Sequence, residues 1–141
     1  MKDSLRKEHF YSHPIDRVWK AITDQSEIAE WFLKADFKPT IGYQYTLTHE
    51  DTTISGKILE ASPVNKLVYT WIVSGTGDVE TTVSWQLTEV NGGTQLVIEH
   101  KGISNYPDEK LATTMFNSYS GGWDGCITNL EKYLNKIVHV K

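Results

Sequence analysis

The chain has a single cysteine, Cys126, so neither an intrachain disulfide nor a Cys-rich zinc site can form. Nothing approaches the run of about eighteen apolar residues that a membrane-spanning helix needs. The opening "MKDSLRKEHFYSHP" lacks the apolar core of a signal peptide, so a soluble, cytoplasmic protein is expected. Positive charge is scarce as well. No basic cluster is longer than Arg6-Lys7 and the formal net charge is −4, which argues against a nucleic-acid partner and against membrane insertion or an anionic membrane surface. Repeats, low-complexity tracts and linker-like runs are missing, so residues 1–141 are expected to form a single domain. The chain also contains no G-x-S-x-G, H-E-x-x-H, P-loop, G-x-G-x-x-G or C-x-x-C.

What the chain does have is aromatic bulk: five tryptophans, seven tyrosines and four phenylalanines, which will dominate any surface they line. Its hydrophobic periodicity changes twice. "SLRKEHFY" (4–11) alternates as a first strand. Pro14 then suits the first position of a helix, with Ser12 or His13 as its cap and Ile15, Val18, Trp19 and Ile22 at helical spacing. A second short helix follows, capped by Asp24 or Ser26, with Ile28, Trp31 and Phe32 on one face. From 42 to 101 the period is two. "YQYTLT", "TISGKILEA", "KLVYTWIV" (66–73), "VETTVSWQLTEV" (79–90) and "TQLVIEHKG" (94–102) read as five antiparallel strands, with Asn91-Gly92 as a hairpin turn.

After "GISNYPDEK" the helical period returns, over 109–138. On a helical wheel Ala112, Met115, Phe116, Tyr119, Trp123, Cys126, Ile127, Leu130, Tyr133, Leu134 and Ile137 fall within an arc of about 120°. Gly122 borders that stripe, and Gly121 and Gly125 lie beyond it beside Ser118 and Asn129. Each glycine costs a helix interior about 1 kcal/mol relative to alanine. The lane of small residues is expected to seat a neighbouring helix or loop; the alternative is room at a cavity mouth.

The predicted class is α+β: a curved six-stranded antiparallel sheet, two short helices after the first strand, and a long C-terminal amphipathic helix across the concave face. One helix cannot fill a strongly curved sheet everywhere, so a gap between the two is expected. Strand parity turns Tyr43, Tyr45, Leu47, Ile54, Ile58, Leu67, Tyr69, Trp71, Val83, Trp85, Leu87, Leu96, Ile98 and His100 inward. The cavity-lining candidates are Trp31, Phe32, Tyr45, Leu47, Ile58, Tyr69, Trp71, Val83, Trp85, Ile98, His100, Met115, Phe116, Tyr119 and Trp123. A filled core and a core with a ligand-sized gap both satisfy this pattern.

His100 reads as a structural residue whose hydrogen bonds are satisfied, the alternative being a ligand contact or proton carrier. His9 and His13 straddle a strand–helix corner and are not expected to bind metal. Cys126 is expected to be an inert buried thiol. Parity places Glu60 inward and Glu99 outward, so they form no acid–base pair; a strand-end ion pair is the reading for Glu60. No catalytic residue, cofactor or metal is predicted.

"IDRVWKAITDQSEIAEWF", "GKILEASPVNKLVYTW", "VSWQLTEVNGGTQLVIEHKGI" and "GGWDGCITNLEKYL" together resemble the domain of the Hsp90 ATPase activator homologues. That family belongs to the START-like (SRPBCC, Bet v 1-like) helix-grip superfamily, and the resemblance covers about residues 8–137. It implies a hydrophobic pocket between sheet and C-terminal helix for a lipid-like, polyketide-like or flavonoid-like molecule. Eukaryotic co-chaperone members carry an additional N-terminal domain that binds Hsp90; this chain begins at the first strand, so direct chaperone activation is not expected. Non-enzymatic binding of a small hydrophobic or aromatic ligand, by a monomer or weak dimer, is the leading reading. A chaperone or stress-response regulator and a cyclase- or hydratase-type enzyme are the alternatives.

Overall fold

The computed structural model describes residues 3–138, with side chains described to residue 136. Its elements are β1 (Leu5–Tyr11), α1 (Ile15–Thr23), α2 (Gln25–Trp31), β2 (Lys34–Asp36), β3 (Gln44–His49), β4 (Thr52–Ser62), β5 (Lys66–Val73), β6 (Thr81–Val90), β7 (Gly93–Lys101), a 3-10 turn at Ile103–Asn105, and α3 (Glu109–Val138). The strands form one antiparallel sheet in the order β1-β7-β6-β5-β4-β3-β2. This is the expected α+β helix-grip arrangement with seven strands instead of six. The addition, β2, is three residues long and pairs with β3 from Lys34↔Thr48 to Asp36↔Thr46. Three residues are too few to establish an alternation.

The turn chemistry follows the residues. Asn91 (φ 53°) and Gly92 (φ 81°) take the left-handed conformations of a two-residue hairpin between paired Val90 and Gly93. Asp24 caps α2, its Oδ1 accepting from the amides of Ser26 (2.9 Å) and Glu27 (3.2 Å). The start of α1 differs from expectation. Pro14 precedes the helix as its cap residue, and no side chain caps it. His13 is engaged elsewhere: its Nε2 meets Asn135 Oδ1 at 2.9 Å and its carbonyl accepts from Thr94 Oγ1 at 2.8 Å.

Strand parity fails at one place. Ile58 pairs with Tyr69 but Glu60 pairs with Val68, so a β-bulge absorbs one residue at Leu59. The extra residue turns Glu60 away from the core, where it is half-exposed and 3.9 Å from Lys66 Nζ. The inward placement of Glu60 is therefore corrected, and the strand-end ion pair is present.

Helix α3 is fastened to β1 by Lys7–Asp124 (3.2 Å), His9–Glu131 (3.1 Å) and a bond from the Tyr11 hydroxyl to the Ile127 carbonyl (3.0 Å). At its far end Glu27 Oε1 accepts from Arg17 Nη2 (2.5 Å) and the Tyr133 hydroxyl (2.8 Å), joining all three helices. The side chain of Ile137, assigned to the apolar stripe, lies outside the described residues. The glycine lane does not seat a neighbour. Gly121, Gly122 and Gly125 are exposed, and a Cβ added at any of them would meet nothing within 4 Å. Close approach of backbone occurs at Gly56 instead, where a Cβ would lie 2.0 Å from the Thr70 carbonyl oxygen.

Candidate functional site

The alternating residues of β3 to β7 and the stripe of α3 meet in an aromatic interior. Trp31, Tyr45, Leu47, Ile58, Tyr69, Trp71, Val83, Trp85, Ile98, His100, Tyr119 and Trp123 are buried there, and Phe32, Met115 and Phe116 are partly buried against them. The rings form a connected set. Trp123 lies 5.3 Å from Trp71 and 5.8 Å from Trp85, Trp85 lies 6.3 Å from Trp31, and Tyr69 lies 5.0 Å from Tyr45.

Polar atoms on these rings must find partners once buried, and nearly all do. The indole N–H groups of Trp31, Trp85 and Trp123 donate to the Ala21 carbonyl (2.9 Å), the Tyr69 hydroxyl (2.7 Å) and His100 Nδ1 (3.0 Å). The Tyr45 hydroxyl donates to the Thr70 carbonyl at 2.5 Å, and the Tyr106 and Tyr119 hydroxyls share a bond of 2.7 Å.

His100 is fully buried. Because Nδ1 accepts from Trp123, the ring proton of the neutral imidazole resides on Nε2, which lies 2.7 Å from Thr81 Oγ1. Thr81 in turn donates to the Trp71 carbonyl at 3.2 Å. Burial pushes the His100 pKa down to about 3. Burial likewise raises the phenols of Tyr45, Tyr69 and Tyr119, and it raises the Cys126 thiol above the range in which thiolates form at neutral pH. At neutral pH these groups are uncharged, as their apolar surroundings require.

The packing is incomplete at the helix. A pocket of about 170 Å³ lies between α3 and strands β4 and β5, bordered by Phe32, Ile54, Trp71, Ser118, Tyr119, Gly122 and Trp123. Phe32, Trp71, Tyr119 and Trp123 are among the candidates from the sequence. Ile54 was assigned inward by parity but is not among those candidates, and Ser118 and Gly122 belong to the lane of small residues. The signal for these two was their lack of bulk: at the rim of a helix that stands off the sheet, missing side chains leave an opening. Toward Trp31, Phe37, Leu47 and Tyr69 a second gap is about 10 Å³, at the lower limit for a single water. The other candidates do not border this opening, and His100 packs behind it against Trp71, Tyr119 and Trp123.

Among the described residues no group of three or more His, Cys, Asp or Glu could hold a metal ion, and no helix is long and apolar enough to cross a membrane.

Comparison with known proteins agrees with this architecture. Solved structures with the same fold include protein MLL2253 from Mesorhizobium loti, 26% identical with a TM-score of 0.85, covering 94% of this chain and 97% of that one. CalU16 from Micromonospora echinospora, in its solution structure, is 27% identical with a TM-score of 0.75, covering 92% of this chain and 64% of its own. DynU16, a protein of the dynemicin biosynthetic locus, is 24% identical with a TM-score of 0.82; the match covers 96% of this chain and 48% of DynU16. No curated protein sequence gives a significant match. The profile of the family described as Activator of Hsp90 ATPase homolog 1-like protein matches residues 12–135. With nearly its whole length matched, and with the long helix gripped against a curved antiparallel sheet, this chain belongs to the Activator of Hsp90 ATPase homolog 1-like family.

Proposed function

We propose that the protein binds one small, largely apolar molecule in the pocket between α3 and strands β4 and β5, and releases it unchanged. The observation that supports this reading is the contrast within the interior. A space of about 170 Å³ with four aromatic walls remains under the helix, whereas the gap beside Trp31, Phe37, Leu47 and Tyr69 measures only about 10 Å³. An engineered cavity of about 150 Å³ holds benzene, so this volume suits one aromatic ring with a small substituent. Larger lipid-like or polyketide-like molecules would have to project past Ser118 and Gly122.

Chemistry in the pocket would need a proton carrier, and the candidates are unsuited to that role. Both nitrogens of His100 are engaged and its pKa is about 3, the tyrosine phenols are raised by burial, and Glu60 is on the surface. This favours binding over the cyclase or hydratase alternative.

The test is titration of a panel of one- and two-ring aromatic compounds, followed by intrinsic tryptophan fluorescence and by thermal unfolding. Saturable 1:1 quenching with a rise in Tm supports the reading. A panel without saturable change, together with native mass spectra free of any adduct, overturns it.

A further inference from the structure

Two gaps in the interior lie side by side. The pocket of about 170 Å³ has Ile54, Trp71 and Trp123 among its walls, and the gap of about 10 Å³ has Leu47, Tyr69 and Trp85. Each of these walls neighbours a wall of the other space. Leu47 pairs with Ile54 across β3 and β4, Tyr69 and Trp71 stack at 6.3 Å along β5, and Trp85 lies 5.8 Å from Trp123. Residues on one face of a strand are spaced about 7 Å apart, close to the breadth of one aromatic ring. A single ring is therefore enough to shut one space off from the other.

That ring belongs to Phe32, which alone among the described residues borders both gaps. It stands between the two sets of walls. On one side it stacks on Trp31 of the small gap (5.3 Å, 16°), and on the other it tilts against Trp123 of the pocket (6.2 Å, 39°). Phe32 directly follows α2, and its amide donates to the Ile28 carbonyl at 2.8 Å. Its backbone is thus held by the helix, while its side chain is only partly buried.

We propose, building on the binding function above, that Phe32 is the size filter of the pocket. Its ring ends the binding space after one aromatic ring of the ligand. Behind it lies a second chamber between α1, α2 and strands β3, β5 and β6, which Phe32 keeps too small to fill. A smaller side chain at position 32 joins the two spaces, and the ligand class changes from one ring to two linked rings. No charged side chain borders either gap, so the longer ligand is neutral and apolar throughout.

The test uses two neutral hydrocarbons, toluene and biphenyl, which differ by the second ring. Each is titrated into wild type and Phe32→Ala by tryptophan fluorescence, and contacts in the complexes are read from isoleucine methyl NMR. The preference for biphenyl over toluene should rise at least about fivefold in the variant, because the second ring becomes buried. In wild type either probe should contact the methyls of Ile54 and not those of Ile22 and Ile28; in Phe32→Ala biphenyl should contact all three. A smaller rise in preference overturns the filter and leaves the binding function intact. So do biphenyl contacts to Ile22 and Ile28 in wild type, or their absence in the variant. Failure of wild type to bind either probe overturns the binding function and the filter together. If Phe32→Ala does not fold, Phe32→Leu, which stays apolar but lacks the ring, is judged by the same ratio and the same contacts.

Discussion

Trp123 donates its indole N–H into the one imidazole lone pair that His100 would need to take up a second proton. Protonation would set two N–H groups against each other in a site that contains no anion. The histidine is therefore held neutral by a specific bond as well as by burial.

Stability should consequently fall with acidification. In the unfolded chain His100 titrates near 6.5, and in the native protein only near 3, so between these values the unfolded state binds more protons. The contribution is complete above pH 6.5 and is lost as pH falls toward 3, with a slope of up to about 1.4 kcal/mol per pH unit. Urea denaturation between pH 7.5 and 4.5 should show the loss, and His100→Gln should flatten it. A wild-type midpoint constant over that range would contradict the assignment.

The glycines of α3 should prove replaceable. With open space around Gly121 and Gly125, alanine at each should stabilise the protein by about 0.5–1 kcal/mol, seen calorimetrically as a Tm higher by a few degrees. Gly56→Ala should act in the opposite sense by more than about 3 kcal/mol, because its Cβ would collide with backbone that is fixed in the neighbouring strand. Similar Tm changes at all three sites would mean that the space around them had been misjudged.

Gly122 separates stability from binding. Gly122→Leu adds a good helix former at an exposed position, and its side chain extends over the pocket rim. Affinity for an aromatic probe should drop at least about tenfold while Tm stays level or rises, a ΔΔG of about 1.4 kcal/mol or more on binding alone. Undiminished binding would place the ligand elsewhere.

Glu27 should matter more than a surface carboxylate. It is 13% exposed at the side chain and joins Arg17 on α1 to Tyr133 on α3. Glu27→Ala should cost about 1–3 kcal/mol in urea denaturation, with Arg17 left partly buried beside the gap. Glu27→Gln, which retains an acceptor, should cost less. A loss under about 0.5 kcal/mol in Glu27→Ala would reduce the cluster to an ordinary surface ion pair.

Most of the fold could be read from periodicity and turn chemistry because those signals are local. Asn91-Gly92 placed one hairpin, the alternation of Tyr69, Trp71, Val83 and Trp85 identified the inner face, and the wheel placed Tyr119 and Trp123 toward the sheet. Local signals failed where geometry depends on a neighbour. The bulge at Leu59 is a property of two strands and inverted the side on which Glu60 lies. The three residues of β2 are extended because β3 is beside them. The pocket depends on how far α3 stands off the sheet, so the sequence supplied the rings but not which of them border the opening. It also offered packing as the role of the glycines, whereas Gly122 sits at the rim with nothing against it.

The pairing of β1 with β7 brings Leu5 opposite His100. A ribosome adding about 5–20 residues per second covers the separation of 95 residues (100 − 5) in about 5–20 s, so the first strand emerges long before its partner β7 exists. α3, which clasps β1 through Tyr11 and Lys7, arrives later still. The segment therefore waits with its backbone unpaired, and the consecutive charges of Arg6, Lys7 and Glu8 disfavour its pairing with other chains meanwhile.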